Sequence, residues 1–187
     1  CLGEGFDANR EPIQTRAEWI AYLGTRLPAH FVVKDIAGVY GSGFSAFERH
    51  AGGFNQVNGP LLSVDGLYDW LERNSHAGLV IQERLFNHPD MSLCAGSSGL
   101  CTLRVNTFLD DKEADPTLLF YIMKIPVGGN VTDNFSMGTS GNLIAFGDHD
   151  SGVLRGARAL HPSGAGLATI RSHPDSGHDI DGYAIPM

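Results

Sequence analysis

Phe31-Val32-Val33-Lys34, the loop Gly38-Val39-Tyr40-Gly41-Ser42-Gly43, and Phe44 to Phe47 form one continuous passage. The short apolar run predicts a buried strand that ends at Lys34, and the segment opened by Phe44 predicts the strand that returns beside it. Between them the glycines supply backbone freedom where the chain must reverse. A lysine at a strand end beside a glycine-rich hairpin is a recurrent way to hold a polyphosphate: loop amides approach the anion closely while the ammonium adds a point charge. No Gly-Lys-Ser/Thr sequence closes the loop, so it is not a Walker loop. The plain alternative is a glycine-rich hairpin beside a surface lysine.

Outward from this hairpin, elements alternate without an internal repeat. Thr15-Arg16-Ala17-Glu18 has the capping-box form, and the helix it opens carries Trp19, Ile20 and Leu23 on one side, with a stop at Gly24. Ser63 is placed to cap a second helix with Leu67, Trp70 and Leu71 at core spacing. Leu79-Val80-Ile81-Gln82 reads as a buried strand. Thr102 to Leu109 and Leu118 to Ile125 are the clearest strands, followed by a loop from Gly128 to Gly141, then Leu143 to Phe146 and Val153-Leu154. The last 25 or so residues are rich in Gly, Ser, His and Pro and show no periodicity. The expected class is α+β with mostly antiparallel sheets, and the length allows one ordinary domain or two small lobes.

Composition bounds what such a chain can do. In 187 residues, 42% are apolar and 18% charged, which suits a globular chain with a real core. A formal net charge of −8 disfavours a nucleic-acid coat or an anionic membrane surface, although it leaves room for a local cationic pocket. No run approaches the ~20 apolar residues of a membrane helix. Cys1, Cys94 and Cys101 make an odd count without metal spacing, so reduced thiols in a cytoplasmic protein are expected rather than a disulfide framework.

Three further constellations carry chemistry. Where Leu79 to Gln82 emerges into Glu83-Arg84-Leu85, the backbone can read an adenine edge, with Glu83 accepting from the nucleotide; an ordinary strand with a solvated Glu-Arg end is the competing reading. Strict alternation puts Thr102, Arg104 and Asn106 on one face, and Lys124 is similarly placed in Tyr121 to Ile125. If these strands pair as a hairpin, both cations face one cleft, unless Arg104 is spent on Asp110, Asp111 or Glu113. Asp133-Asn134 in a Gly-flanked loop can touch Mg²⁺ or close over a phosphoryl group, or serve a plain turn. The histidines, including His149, His161-Pro162 and His173-Pro174-Asp175, lack metal-ligand spacing, and no Gly-x-Ser-x-Gly elbow supports a Ser-His-Asp hydrolase.

The order of these pieces resembles the ATP-grasp superfamily. Lysine on a strand, glycine hairpin, hinge with Glu83, Asn87-His88-Pro89, Thr102-Leu103-Arg104, Asp133-Asn134-Phe135 and His173-Pro174-Asp175-x-Gly177 are together similar to the sugar-transfer-associated ATP-grasp proteins, encoded among bacterial polysaccharide-synthesis enzymes. That resemblance implies two α+β lobes clasping ATP and Mg²⁺, a nucleotide-binding lobe over about 1–82 and an incomplete second lobe over about 83–187, and carboxylate–amine ligase chemistry on an unidentified small-molecule acceptor. It implies that Lys34 with Gly38, Gly41, Ser42 and Gly43 meets the phosphates, and that Gln82, Glu83, Arg84 and Leu85 meet adenine. Arg104 and Lys124 would balance phosphoryl charge, Asn134 would lie in the closing loop, and Asp133 is a further candidate metal ligand. Three departures stand out. Gly138-Thr139-Ser140-Gly141 replaces the family's paired glycines, Lys124 stands where arginine is usual, and the main metal carboxylates are expected after Met187. Both ends read as cut, so residues 1–187 are expected to be a fragment inactive on its own. The rival classes are a non-catalytic nucleotide- or sugar-binding module, and a structural domain in which the cations diverge to solvent.

Overall fold

The computed structural model describes residues 2, 4–39, 41–75, 77–94, 97–111 and 115–186. The chain divides into two compact units, residues 1–84 and 85–187.

In the first unit a two-stranded pair, β1 (Gly5–Phe6) and β2 (Pro12–Ile13), precedes α1 (Arg16–Thr25). Then come β3 (His30–Asp35), β4 (Phe44–His50), β5 (Gly53–Gln56), β6 (Leu61–Leu62), α2 (Val64–Asn74) and β7 (Leu79–Glu83). The sheet runs β6-β5-β4-β3-β7, antiparallel throughout. Leu23, Leu27, Leu67, Tyr68 and Leu71 of the helical segments bury themselves against Phe31, Val33, Phe47 and Phe54. The Phe31 and Phe47 rings stack at 5.2 Å, and Phe54 meets Phe31 edge-on at 5.5 Å, so aromatic geometry adds to the area removed from water. Arg49 of β4 closes the end of α1: Nη1 donates at 2.9 Å to Gly24 O, a carbonyl that the helix leaves orphaned, and Nη2 at 2.9 Å to Leu27 O just beyond the helix. The capping box opens that helix as its sequence dictates. Thr15 Oγ1 accepts from Glu18 N at 3.2 Å, and the Glu18 carboxylate accepts from the amides of Gln14 (2.8 Å) and Thr15 (2.9 Å).

The second unit is a meander: β8 (Thr102–Phe108), β9 (Thr117–Ile125), β10 (Leu143–Gly147), β11 (Leu154–Leu160) and β12 (Leu167–Ile170), each paired with the next. One sheet face buries Tyr121, Met123, Ile125, Leu143, Ala145, Leu154 and Ala157 under Leu93 and Ile180 from the irregular segments. Register pairs Thr102 with Lys124 and Arg104 with Ile122.

Three expectations need correction. Leu79 to Gln82 is an edge strand, not a buried one: β7 ends its sheet and Val80 is 43% exposed. The C-terminal stretch does contain a strand, β12, paired to β11 from Ala157↔Ile170 to Leu160↔Leu167. Cys101 is disulfide-bonded, not a reduced thiol.

Two amide donors, Gln14 first and then Thr15, hold the Glu18 carboxyl below its ordinary value. Its contribution is therefore present above the unfolded value of about 4.3 and is lost as pH falls through the lower folded value. Thermal unfolding should show wild type more stable than Glu18→Gln at neutral pH, with the gap closing between roughly pH 5 and pH 2. A gap independent of pH would overturn this assignment.

Candidate functional site

Lys34 sits near the end of β3 on the face opposite the helices, with Phe44 of β4 and Val80 of β7 directly across from it. Nζ donates to Gln82 Oε1 at 3.0 Å and lies 5.8 Å from the centre of the Phe44 ring. Among the described residues it meets no carboxylate, so its charge is oriented by neutral neighbours and left unneutralised. The adjoining loop is more self-contained than a bare glycine loop. Gly38 N donates to Asp35 O, Ser42 N to Val39 O, Ala37 N to Asp35 Oδ1, and Val39 N to Ser42 Oγ. A Cβ on Gly38 would lie 2.5 Å from Ser42 O, so the residue is glycine because the turn closes on itself there. Gly41 (φ 80°) and Gly43 (φ 68°) keep amides without acceptors among the described residues, and these are the loop groups left for an anion. Tyr40 lies outside the described residues.

The 82–85 segment uses its two sides differently. Arg84 N donates to His30 O at 3.0 Å, and its buried guanidinium pairs with Glu48 at 3.2 Å. Arg84 thereby fastens β7 to β3 and β4. In an antiparallel ladder the next residue along points its backbone groups the other way. Glu83 therefore directs N–H and C=O outward from the open edge of β7, where a ligand can use both. Gln82, by its bond to Lys34, orients the ammonium; Leu85 follows the strand and is 64% exposed.

In the second unit β8 and β9 do pair, and the register places Thr102, Arg104 and Asn106 on one face with Lys124, Ile122 and Phe120. Arg104 is exposed and forms no ion pair among the described residues, so neither Asp110 nor Asp111 claims it; Glu113 lies outside the described residues. Lys124 differs. Its Nζ lies 3.4 Å from Asp133 Oδ1, with side chains only 19% and 16% exposed, and Asp133 Oδ2 also accepts a short bond from the Thr102 hydroxyl. The Asp133 carboxylate is thus occupied by protein donors.

What holds Asp133 there is a residue that sequence reading missed. Asn142, 1% exposed, makes four bonds with one amide. Oδ1 accepts from Val127 N (3.0 Å) and Asn130 Nδ2 (2.8 Å), and Nδ2 donates to Thr132 O (2.8 Å) and Asn134 O (2.9 Å). Asn134 itself donates from Nδ2 to Ser136 Oγ at 2.6 Å. The loop then turns through three positive φ values, Ser136 (44°), Met137 (55°) and Gly138 (89°); a Cβ on Gly138 would sit 2.7 Å from Leu160 N. Two non-glycine residues in the left-handed region store strain in this loop. The His-Pro-Asp segment is structural: buried His173 sets Nε2 3.1 Å from Pro126 O while Nδ1 accepts from the amides of Asp175 and Ser176, so the proton is on Nε2. Asp175 then accepts from Gly128 N at 2.6 Å. The only sequence sign of Asn142 was its place beside Gly141, which an ordinary turn also explains.

In the first unit Lys34 and the outward backbone edge at Glu83 lie on neighbouring strands; in the second, Arg104 is exposed and forms no ion pair among the described residues. The described residues do not suit a metal: no three His, Cys, Asp or Glu side chains come together, and Asp133 is engaged elsewhere. None of the described helices is long and apolar enough to cross a membrane.

A family model described as sugar-transfer associated ATP-grasp matches residues 8–187, and the chain belongs to that family. No curated protein and no solved structure matches.

Asn142→Asp should cost about 2–4 kcal/mol in urea unfolding, because it removes two donors and leaves a buried carboxylate facing two carbonyls. Asn130→Ala, which removes the donors to Asn142 Oδ1 and Ser140 O, should cost less, about 1–2 kcal/mol. Equal costs would show that Asn142 is not the hub.

Proposed function

We propose that this member of the sugar-transfer associated ATP-grasp family is the ATP-binding part of an ATP-dependent carboxylate–amine ligase-like enzyme in polysaccharide synthesis. The observation that carries the reading is Lys34: an ammonium held by Gln82 and left without a carboxylate, on the strand beside the open β7 edge. In this reading Lys34 and the free amides of Gly41 and Gly43 receive phosphate oxygens. Ser42 and Gly38 shape that turn. Glu83 reads adenine through its outward N–H and C=O, with Gln82, Arg84 and Leu85 fixing the segment. Arg104 meets the phosphoryl group, whose charge distribution changes on transfer. Lys124 acts from its pairing with Asp133, and Asn134, in the strained loop after it, is assigned to closing over a phosphoryl group. Mg²⁺ bound with ATP would neutralise phosphate charge. The acceptor is a small molecule, with neither nucleic acid nor membrane insertion involved. A cytoplasmic setting, where ATP is available, goes with this activity.

The phosphate role is tested by Lys34→Ala, which removes one charge-assisted contact worth roughly 1.5–3 kcal/mol. Calorimetry should find ATP affinity lowered roughly ten- to a hundred-fold. An unchanged affinity would move the phosphates elsewhere.

The hinge is tested by proline. Because the Glu83 N–H faces away from β3, Glu83→Pro removes an outward donor at an edge position where proline is tolerated. ATP should bind markedly less well to Glu83→Pro than to Glu83→Ala, while both variants keep the wild-type far-ultraviolet spectrum. Equal affinities would remove the backbone of Glu83 from adenine recognition.

A further inference from the structure

The polar face of the second sheet extends past the residues assigned above. Register lines up Thr102, Lys124, Ile144, Arg158 and Thr169 across the five strands, with Arg104, Ile122, Phe146 and Arg155 in the next row. Arg155 and Arg158 are three positions apart, so simple alternation would send them to opposite faces. A bulge prevents this: between Ile144 and Phe146, two positions of β10 span three of β11, and Gly156 inside it has φ 58°. Bulges of this kind re-aim side chains. Here the result is that both arginines join Arg104 and Lys124 on one face.

The two arginines are not equivalent. Arg155 Nε lies 3.8 Å from an Asp148 carboxylate oxygen and is exposed. Arg158 is half-buried, is steadied by a short bond from Nη1 to the Thr169 hydroxyl, and meets no carboxylate among the described residues. In a chain where acidic residues outnumber Lys and Arg 21 to 13, an oriented and unneutralised guanidinium on a sheet face is available for an anion. Phe146, 46% exposed, stands diagonal to Arg158 in the neighbouring row. An aromatic face beside a planar cationic fork fits a ring with an apolar C–H face and a carboxylate. On the opposite edge of the same face, the Asn106 Nδ2 is buried without an acceptor, so the polar face is not fully satisfied internally.

We infer that Arg158 and Phe146 form a subsite for an acidic sugar, the carboxylate on the Arg158 fork and the pyranose ring against Phe146. The inference rests on the ATP-binding reading, which assigns Arg104 and Lys124 to phosphate and so leaves Arg158, two strand spacings or about 10 Å from Lys124, for the acceptor. Arg155 adds favourable charge at the rim.

The test uses the 187-residue chain and D-glucuronate as probe, followed by amide NMR shifts, with acetate and glucose as controls and ATP titrated separately. Wild type should bind glucuronate more tightly than either control. Arg158→Gln should weaken glucuronate roughly tenfold or more, and leave ATP affinity within about twofold. Phe146→Ala should weaken glucuronate and leave acetate unaffected. Acetate binding as well as glucuronate, or glucuronate binding undiminished in Arg158→Gln, would overturn the inference. Parallel loss of ATP and glucuronate in that variant would also overturn it, by making Arg158 part of the phosphate site. If wild type binds no ATP yet binds glucuronate through Arg158, the nucleotide reading fails while the sugar subsite stands.

Discussion

The second unit depends on the amide of Asn142. A buried amide must have its donors and acceptors met, and an unmet one costs about as much as a hydrogen bond is worth, or more. Here each polar position of the side chain finds a partner in the loop that precedes it, at Val127, Asn130, Thr132 and Asn134. The loop has little apolar surface of its own to bury, so these bonds supply the order that packing supplies elsewhere. Asp133 lies between two of the carbonyls that Asn142 holds. Its carboxylate therefore arrives over the sheet at a fixed place, where Thr102 and Lys124 meet it. Part of the charge on the polar face is cancelled there, while Arg104 forms no ion pair among the described residues.

How much of this was legible depends on the range of the interaction involved. The start of α1 was readable because a capping box is completed within four residues, and Thr15 and Glu18 satisfy each other without outside help. The shared face of Arg104 and Lys124 was readable because strand alternation is local, and the pairing of the two strands then sets them side by side. The status of β7 was not, since an apolar run looks the same at the centre of a sheet and at its edge; only pairing with β3 on one side alone decides it. The strand β12 was hidden for a related reason. Leu167 to Ile170 is too short to show a period, and it becomes a strand because β11 offers a ladder.

The arginines of β11 show the same limit more sharply. Counting by twos along the sequence separates Arg155 from Arg158, and the bulge at Gly156 reverses that conclusion. A glycine inside a strand pattern is the available signal, since it marks a bulge or a close approach. Which of the two it marks is settled by the register with β10. His173 was legible in sequence as part of the His-Pro-Asp-x-Gly motif, without its structural role. Its Nδ1 takes the local amides of Asp175 and Ser176, but its bond to Pro126 O joins segments 47 residues apart in sequence, and no local pattern announces such a contact.

Charge distribution links these details to function. The chain is acidic as a whole, at −8, so a cation on its surface will ordinarily find a carboxylate. Arg16 does so with Asp65 and Asp69, Arg84 with Glu48 and Lys124 with Asp133. Among the described residues Lys34, Arg104 and Arg158 do not, and each stands on a polar sheet face beside an uncharged partner or none. Keeping them apart from the abundant acids requires specific geometry: Gln82 in place of a carboxylate beside Lys34, Asp133 drawn to Lys124 and not to Arg104, and Thr169 beside Arg158. Neutral hydrogen-bond partners orient a cation without discharging it. The charge that remains is what an incoming anion meets, and it is worth most where sheet and loop exclude water from around it.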